Sequence, residues 1–552
     1  MTTFADHIRS HAEDDNIAVV LNDDKWSYRE WVRCIAQRAA LFESMRVPGP
    51  AHIGVLMDNH PEFTMWIGVA AMTGATVVGL NSTRRGAELQ RDVTFTDCQL
   101  VVTHAGNAEL LDGLDLGPAN GRVLVVDTPE YVARLEPHRD APLPSVDVDE
   151  KTNLMFVFTS GSTGAPKAVI VSHGRLDMVA TSLIGITNMT AEDVTYMAMP
   201  LFHSNALMTA WAPTVKAGAT LALREKFSAS QFIPDVVKYG ATYFNYVGRP
   251  LAYVLATPPS DLDRQHKLRI GFGNEGGEQD IAGFKERFGV PLVDGYGQSE
   301  TGASINRVPG MPAGALGRAT SPDVKVLNPE TGQECPPARF DSDGKLLNAE
   351  EATGEIVNLG YNTFEGYYNN AEANAERSRN GAYWTGDLAY RDADGFFYFA
   401  GRNADWIRVD GENFAAAPVD RIVARYPGVV LSAAYGVPDP EIGDRVMVAL
   451  QLDDVSTFDV DDFASFLSAQ PDMGTKWMPT FIRVMEQLPL TQTTKVLKRQ
   501  LVLERWHSCE LGAGDVWWRP TKDSGYEKMT TDHAAQLRAR FVAAGRGDIL
   551  NH

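Results

Sequence analysis

The chain has 552 residues, more than one hydrophobic core usually holds, so its length predicts several domain-sized units. Its content of 44% hydrophobic and 22% charged residues is typical of a globular protein and excludes a disordered or fibrous one. The formal net charge of -21 argues against a nucleic-acid partner, because a groove that follows a phosphate backbone needs clustered Lys and Arg.

The cysteines and the N-terminus indicate a reducing compartment. Cys34, Cys98, Cys335 and Cys509 are far apart and form no C-x-x-C pair, so we expect neither a zinc site nor a disulfide framework. The first residues lack a basic region followed by an apolar run, which argues against a secretory signal. We therefore predict a cytoplasmic protein and leave peripheral membrane contact open.

One uncharged stretch, residues 63–80, is long enough to raise the question of a membrane span. Several glycines and threonines lower its hydrophobicity, and Gly74 divides it into two parts. We predict a buried helix followed by the β-branched strand TVVGL.

Short apolar runs alternate with longer helical patterns through the N-terminal region. AHIGVLM, ATVVGL, RVLVVD and NLMFVF are typical of strands, whereas YREWVRCIAQRAALF is typical of a helix. This alternation predicts an α/β fold of layered, largely parallel sheets and helices. After GRNAD the pattern changes. We predict a large N-terminal region of several subdomains at 1–401, a hinge at about 401–405 and a smaller mobile α+β domain at 402–552.

A loop rich in Ser, Thr and Gly, residues 159–167 (TSGSTGAPK), directly follows the strand-like run NLMFVF. Glycines let backbone N–H groups approach an anion, hydroxyls donate to phosphate oxygens or bind Mg²⁺, and Lys167 adds positive charge. The glycine spacing and Pro166 differ from the Walker A pattern. The sequence predicts a phosphate-binding loop, and a flexible surface loop is the alternative.

A second glycine pattern offers a competing function. Residues 271–276 (GFGNEG) match G-x-G-x-x-G, and Asp294 follows at the spacing of a dinucleotide-binding motif. Glu275, Glu278 and Asp280 would, however, repel pyrophosphate at the turn that must hold it. A nicotinamide-dependent oxidoreductase therefore stays an alternative rather than the leading hypothesis.

A third pattern, residues 297–301 (GQSET), differs at its last residue from the G-x-S-x-G nucleophile elbow of serine hydrolases. That elbow needs its final glycine for a tight turn from strand to helix, and Thr301 stands in its place. We therefore do not favour a hydrolase.

In chain order the sequence carries TSGSTGAPK, MPLFHS, GFGNEGG, DGYGQSETG, YWTGDL, GRNADWIRVDGEN and PLTQTTK. Together these motifs resemble the adenylate-forming superfamily of acyl-CoA synthetases, peptide-synthetase adenylation domains and luciferases. Ala168, NYVGRPL and DGENFAAAP are similar to the fatty-acid-transport and very-long-chain acyl-CoA synthetase branch, including actinobacterial fatty-acid and steroid-acid CoA ligases. The resemblance implies ATP, Mg²⁺ and coenzyme A as cofactors.

The resemblance also assigns roles to individual residues. It implies a catalytic role for Lys495, Glu300, Thr163 and His203, and a metal-binding role for Thr159 and Glu300. The nucleotide- and CoA-binding residues that it implies are Thr159, Ser160, Gly161, Ser162, Thr163, Gly164, Lys167, Gly273, Asn274, Asp294, Gly295, Tyr296, Gly297, Ser299, Asp387, Arg402 and Gly411. Asp387 would accept from both ribose hydroxyls, and the ring of Tyr296 would stack on adenine.

The resemblance implies that the protein catalyses two half-reactions, each in a different conformation. Adenylation needs water excluded and Lys495 inserted, whereas thioester formation needs Lys495 withdrawn and a path for the pantetheine thiol beside Gly411. Rotation about a hinge at Ala404 would separate the two states. Ala404, Ser299 and Ala168 depart from the usual Asp or Lys, Thr and Gly, and the first departure gives the predicted hinge no charged side chain.

We therefore predict an ATP-dependent acid-CoA ligase that forms an acyl-AMP and then an acyl-CoA thioester. Its substrate would be a medium- or long-chain fatty acid or a steroid side-chain acid. An acyl-AMP ligase that loads a carrier protein and a non-enzymatic fatty-acid-binding protein are further alternatives. Residues 244 and 246–248 either line an acyl pocket or pack in the core. The oligomeric state is not predicted.

Overall fold

The computed structural model describes residues 2–159, 167–342, 346–402, 406–409, 412–440, 444–470, 473–474, 476–490, 496–512, 514–521 and 524–544. The chain forms two compact units. The first comprises Met1–Gly302 and Tyr361–Arg379, and the second comprises Ala303–Gly360 and Asn380–His552. The predicted division at 401–405 concerns a domain movement that these units do not test, so it stays a prediction.

The strands are numbered in chain order. They are β1 (Ile17–Leu21), β2 (Asp24–Ser27), β3 (His52–Leu56), β4 (Thr76–Gly79), β5 (Cys98–Thr103), β6 (Val123–Val125), β7 (Asn153–Thr159), β8 (Lys167–Ser172), β9 (Val194–Met197), β10 (Thr220–Leu223), β11 (Tyr243–Val247), β12 (Ile270–Asn274), β13 (Leu292–Tyr296), β14 (Ile305–Asn306), β15 (Arg318–Ala319), β16 (Val324–Leu327), β17 (Gly354–Asn358), β18 (Ser378–Arg379), β19 (Ala382–Arg391), β20 (Phe397–Arg402), β21 (Trp406–Val409), β22 (Glu412–Ala415), β23 (Val429–Pro438), β24 (Asp444–Leu452), β25 (Phe481–Met485), β26 (Asp515–Trp518) and β27 (Glu527–Lys528).

The helices are numbered in the same way. They are α1 (Phe4–Ser10), α2 (Tyr28–Met45), α3 (Pro61–Thr73), α4 (Gly86–Phe95), α5 (Ala105–Ala108), α6 (Pro129–Leu135), α7 (His173–Thr187), α8 (Ser204–Ala206), α9 (Ala212–Ala217), α10 (Ala229–Tyr239), α11 (Gly248–Leu255), α12 (Glu278–Phe288), α13 (Ala349–Ala352), α14 (Ala371–Arg377), α15 (Ala416–Val423), α16 (Val460–Ser468), α17 (Lys498–Glu504), α18 (Ser508–Leu511) and α19 (Thr531–Ala543).

The first unit has the layered, largely parallel sheets that the sequence predicted. One sheet has the order β6-β5-β3-β4-β7-β8, and its only antiparallel pair among the described strands is β7 with β8. In the other sheet the neighbouring strands β13-β12-β11-β9-β10-β1 run parallel, and β2 pairs antiparallel with β1. The carboxyl ends of parallel strands share one edge of a sheet, where α/β proteins place their ligands.

Helix α2 shows how local sequence and packing agree. Its N-cap, Ser27, accepts the N–H of Glu30, and the Glu30 carboxylate accepts the N–H of Ser27. Buried side chains recur at helical spacing along one face, which packs against α3 through a hydrogen bond from Trp31 to Thr64 of 2.9 Å. The capping box and the apolar face together define the position of the helix.

The uncharged stretch is a buried helix and a strand, as predicted. All residues of α3 are buried, and Gly74 ends the helix at a φ of 70°, a left-handed conformation that favours glycine. The buried strand β4 follows. Among the described residues, no helix combines the length and apolarity that crossing a bilayer requires.

The second unit has its own cores. Its sheet β23-β24-β25-β26-β27 is covered on both faces, and alternate residues of β24 point to different cores. Val446, Val448 and Leu450 belong to one cluster, whereas Met447 and Ala449 belong to the other. This alternation is the two-residue period of a strand buried on both sides.

Candidate active site

Three neighbouring parallel strands end together at one edge of the first unit. Tyr246 on β11 pairs with Gly273 on β12, and Gly273 pairs with Asp294 on β13. The predicted adenine-binding residues of the 271–276 and 294–296 segments are therefore adjacent in space. Two separated sequence motifs form one continuous edge.

The turn after β12 lies directly against the end of β11. A Cβ atom at Gly273 would lie 2.4 Å from the carbonyl oxygen of Tyr246, and one at Gly248 would lie 1.7 Å from the carbonyl oxygen of Glu275. Both positions therefore require glycine. Glu275 itself has a φ of 65°, which is unusual for a residue with a side chain.

Asp294 stabilises this turn through two hydrogen bonds. Its buried carboxylate accepts the N–H of Gly276 at 2.8 Å and the hydroxyl of Tyr246 at 3.1 Å. Asn274 donates to the carbonyl oxygen of Gly295 at 2.7 Å, which ties the two predicted adenine-binding segments together. Glycine-motif spacing alone did not reveal this role of Asp294 as a support for the turn.

The carboxylate of Glu300 and the ammonium group of Lys167 both contact the side chain of Tyr367. Glu300, which is 6% exposed, accepts the hydroxyl of Tyr367 at 2.6 Å. The Nζ atom of Lys167 lies 5.7 Å from the centroid of the same ring, and Arg377 donates to the tyrosine oxygen at 3.2 Å. Burial, together with the nearby Glu300 charge, raises the pKa of Tyr367, so its hydroxyl stays protonated and can donate.

The predicted phosphate loop connects two paired strands. Thr159, the last residue of β7, lies opposite Lys167, the first residue of β8. The ammonium group of Lys167 is buried and lies 3.3 Å from a carboxylate oxygen of Glu376. The other predicted residues of this loop, Ser160, Gly161, Ser162, Thr163 and Gly164, lie outside the described residues.

Arg175 on α7 is a residue that sequence reasoning missed. Its buried guanidinium donates to Thr301 Oγ1 at 2.9 Å and to the carbonyl oxygen of Ser299. The Ser299 hydroxyl in turn lies 2.7 Å from the hydroxyl of Ser204. Arg175 is thus 124 positions away in sequence from Ser299, the serine whose carbonyl oxygen it binds. No local sequence pattern predicts such a contact.

Two further residues of the first unit, His203 and Gly297, were also predicted as site residues. His203 directly precedes α8 and is partly exposed, with its ring centroid 4.4 Å from that of Phe202. A Cβ atom at Gly297 would contact nothing within 4 Å, so the described residues give no steric reason for glycine there.

Asp387 lies in the second unit. It pairs with Arg402 across the antiparallel strands β19 and β20, which brings the predicted ribose-binding carboxylate and its predicted partner to opposite positions. The carboxylate is buried, and its backbone N–H donates to Thr385 Oγ1 at 3.1 Å. Lys495, Gly411 and Ala404 lie outside the described residues.

The family description "AMP-binding enzyme" matches residues 5–368, which is well over half of the chain. The chain belongs to the AMP-binding, adenylate-forming enzyme family. The family resemblance predicted from the ordered motifs is thereby confirmed.

Two curated relatives of this adenylate-forming enzyme place it more narrowly. It is 46% identical over 553 residues to the steroid-22-oyl-CoA synthetase of Rhodococcus jostii, covering 100% of this chain and 99% of that protein. It is 44% identical over 495 residues to the medium/long-chain-fatty-acid–CoA ligase FadD17 of Mycobacterium tuberculosis, covering 89% and 94%. The predicted branch and the predicted AMP-forming acid-CoA ligase activity are confirmed at this level.

A solved structure confirms the fold of the family member. ATP-bound MatB from Rhodopseudomonas palustris matches with a TM-score of 0.78 at 22% identity, covering 90% of this chain and 97% of that one. The family also decides against the nicotinamide alternative. The acidic residues Glu278 and Asp280 lie in the first turn of α12, where they disfavour a bound pyrophosphate.

An AMP-forming acid-CoA ligase consumes a carboxylic acid, ATP and CoA, so these predicted substrates follow from the activity. Mg²⁺ is the remaining cofactor that the family resemblance implies. Thr159 and Glu300 offer hydroxyl and carboxylate oxygens, the hard ligands that Mg²⁺ prefers, and a few protein ligands suffice when phosphates supply the rest. Within the described part of the chain, no cluster of three or more His, Cys, Asp or Glu residues could hold a metal on its own.

Proposed function

We propose that this enzyme activates a hydrophobic acid, either a medium- or long-chain fatty acid or a steroid side-chain acid, as an acyl-AMP and transfers it to CoA. The observation that carries the proposal is the near full-length identity of 46% to a steroid-22-oyl-CoA synthetase, together with 44% identity to a fatty-acid–CoA ligase. A carboxylate is a poor electrophile, so the mixed anhydride with AMP is the step that makes thioester formation feasible.

In the adenylation half-reaction the enzyme must bring two anions together. Lys167 supplies a buried positive charge beside Tyr367, and Glu300 is held by the same tyrosine. Thr159 and Glu300 would hold Mg²⁺ through their oxygens, and the ion would offset the negative charge of the phosphates. Lys495 would stabilise the charge that develops between the attacking carboxylate and the α-phosphate.

Recognition of the nucleotide is assigned to the edge formed by β12 and β13. Asp294 and Asn274 hold the turn and the following strand in place through their hydrogen bonds, so Tyr296 can present its ring to adenine. Asp387 and Arg402 would bind the ribose hydroxyls. Gly411 would leave room for pantetheine after the C-terminal domain rotates about the hinge at 401–405.

The proposal is tested by two assays on purified enzyme with a panel of fatty acids of increasing length and steroid side-chain acids. We expect acid-dependent release of AMP and pyrophosphate, followed by CoA-dependent thioester formation, with the highest kcat/KM for one of these hydrophobic acids. Adenylation without a CoA thioester would favour a carrier-protein loader instead. Preference for small aromatic or dicarboxylic acids would overturn the substrate proposal.

A further inference from the structure

A chain of three hydrogen-bonded asparagine side chains links β11, the segment after His203 and β12. Asn245 on β11 donates to Asn205 Oδ1 at 2.7 Å. Asn205 donates to the carbonyl oxygen of Tyr246 at 3.1 Å and approaches Asn274 Oδ1 at 3.5 Å. Asn274 donates to the carbonyl oxygen of Gly295 at 2.7 Å.

Backbone carbonyl groups determine the direction of this chain. A carbonyl oxygen can only accept, so the amide nitrogens of Asn274 and Asn205 must face Gly295 and Tyr246. The oxygen of Asn205 must then face Asn245 and needs a donor, which only the nitrogen of Asn245 supplies. The last atom of the chain, Asn245 Oδ1, is therefore an acceptor and not a donor.

This terminal acceptor is buried without a hydrogen bond. Asn245 is 4% exposed, and among the residues that the structure describes no donor reaches its Oδ1 atom. A buried acceptor without a donor costs about 1–3 kcal/mol, so such a group in a folded protein calls for an explanation. A ligand that carries a donor would remove this cost.

The neighbours of Asn245 on β11 show which face of the strand carries its side chain. Side chains alternate along β11, and Phe244 packs on one face against Phe232 and Phe284, in the core rather than in a site. Asn245 lies on the opposite face together with Tyr243, whose hydroxyl donates to the carbonyl oxygen of Thr209 at 2.6 Å.

That face meets the segment that follows His203. The segment contains Asn205 and a π-helical turn at Leu207–Trp211, a rare conformation that is frequent at functional sites. His203 lies two residues before Asn205, the middle member of the asparagine chain, and is the residue that the family resemblance assigns to catalysis.

We propose that Asn245 is a specificity-determining residue that accepts a hydrogen bond from a hydroxyl or N–H group carried by the acyl substrate. This inference rests on the proposed function and narrows its substrate class to hydrophobic acids that bear a hydrogen-bond donor. A site built to hydrogen-bond such a group discriminates strongly against an analogue that lacks it, because its own polar atom is then left unpaired.

The test compares matched acids in the CoA-ligation assay. Each pair consists of a fatty acid or a steroid side-chain acid and the same acid with one added hydroxyl, and the hydroxyl position is varied along the series. For at least one position we expect kcat/KM to favour the hydroxylated acid by about tenfold or more. Asn245→Leu, which keeps the approximate side-chain shape but removes both the acceptor and the donor to Asn205, should reduce that ratio to one or below.

Two variants separate a lost acceptor from a disturbed fold. In Asn245→Asp, burial raises the pKa of the carboxyl, so its protonated form donates to Asn205 and keeps an acceptor oxygen. This variant should retain the preference at a pH below that pKa and lose it above. Tyr243→Phe removes a hydroxyl two residues away on the same face and should leave the ratio as in the wild type.

The outcomes are distinguishable from failure of the proposed function. If no acid in the panel supports AMP release, the proposed function fails. If adenylation proceeds but no hydroxyl position gives more than a twofold preference, or if Asn245→Leu leaves the ratio unchanged, only the inference about Asn245 fails. A rise in the KM for ATP that is equal for all acids would assign the acceptor to the nucleotide and overturn the inference as well.

Discussion

The hydroxyl of Tyr367 donates a hydrogen bond of 2.6 Å to the carboxylate of Glu300, 67 positions earlier in the chain. Lys167 lies over the face of the same ring. One tyrosine thus joins the predicted metal-binding carboxylate to the lysine at the end of the phosphate loop. Its segment, Tyr361–Arg379, belongs to the first unit although the chain leaves that unit after Gly302.

Tyr367→Phe should lower the rate of adenylation while the enzyme stays folded. The substitution removes the donor to Glu300 but keeps the ring beside Lys167, so the carboxylate loses its orientation and the lysine keeps its contact. We expect kcat for AMP release to fall by about 10- to 100-fold. Pyrophosphate release with a saturating acid measures the effect.

A matched control is the next residue in the chain. Tyr368 donates to Asp97 at 2.7 Å, away from Glu300 and Lys167, so Tyr368→Phe removes the same atom elsewhere in the unit. It should leave kcat within about twofold of the wild type, as expected for a surface or packing change. Equal losses in the two variants would contradict the role of Tyr367.

Glu300→Gln should raise the concentration of Mg²⁺ that half-saturates adenylation. Glutamine keeps an oxygen for Tyr367 but lacks the negative charge that binds a divalent cation. We expect a shift of about tenfold or more, and complete loss of activity in the wild type after chelation, restored by added Mg²⁺. An unchanged Mg²⁺ titration in the variant would remove Glu300 from the proposed metal ligands.

Arg38→Leu should destabilise the first unit. Arg38 and Glu62 form a buried ion pair, with Arg38 Nε donating to Glu62 at 2.7 Å and the Tyr131 hydroxyl donating to the same carboxylate at 2.8 Å. Removing the cation leaves a buried carboxylate, which typically costs about 3–5 kcal/mol of unfolding free energy. Urea unfolding followed by tryptophan fluorescence measures this loss.

The double variant Arg38→Leu with Glu62→Leu provides the control for that measurement. It removes both charges, so no unpaired ion stays in the core and the loss should be smaller than in the single variant. A double variant that is less stable than Arg38→Leu would show that the Glu62 carboxylate does not need its arginine.

The free energy of unfolding should decrease when the pH is lowered, because of the protonation of His173 in the unfolded chain. Burial lowers the pKa of His173 to about 4, whereas an unfolded histidine titrates near its ordinary value of 6.5. Between these values the unfolded chain binds a proton that the folded chain does not, so folding stability falls as the pH drops from about 6.5 towards 4. Above the upper value this histidine contributes no pH dependence.

His173→Asn isolates this contribution. The asparagine oxygen can still accept the N–H of Phe4, which His173 Nδ1 accepts at 3.2 Å, but it does not titrate. The unfolding free energy of the variant should depend less on pH between about 6.5 and 4, by up to about 1.4 kcal/mol per pH unit. If the unfolding free energies of the wild type and the variant changed equally with pH, the loss of stability in acid would be due to other groups.

Local sequence was sufficient for much of the fold. The runs NLMFVF and TVVGL are buried strands, and the α3 segment is a buried helix, as their apolar patterns predicted. The glycines that the turn after β12 requires were visible as a motif, although their spacing first suggested a dinucleotide-binding site. Close approach of backbone segments, rather than phosphate binding, accounts for Gly273 directly.

The sequence by itself therefore determined the family, the layered α/β fold and the motif residues, because periodicity, glycine placement and ordered motifs are local properties of the chain. Only the tertiary structure decided which side chains meet. Tyr367 with Glu300, Arg175 with Ser299 and Asn245 with Asn205 are pairs separated by 40 to 124 positions. Their contacts depend on how strands and helices pack, and no spacing along the chain encodes that packing.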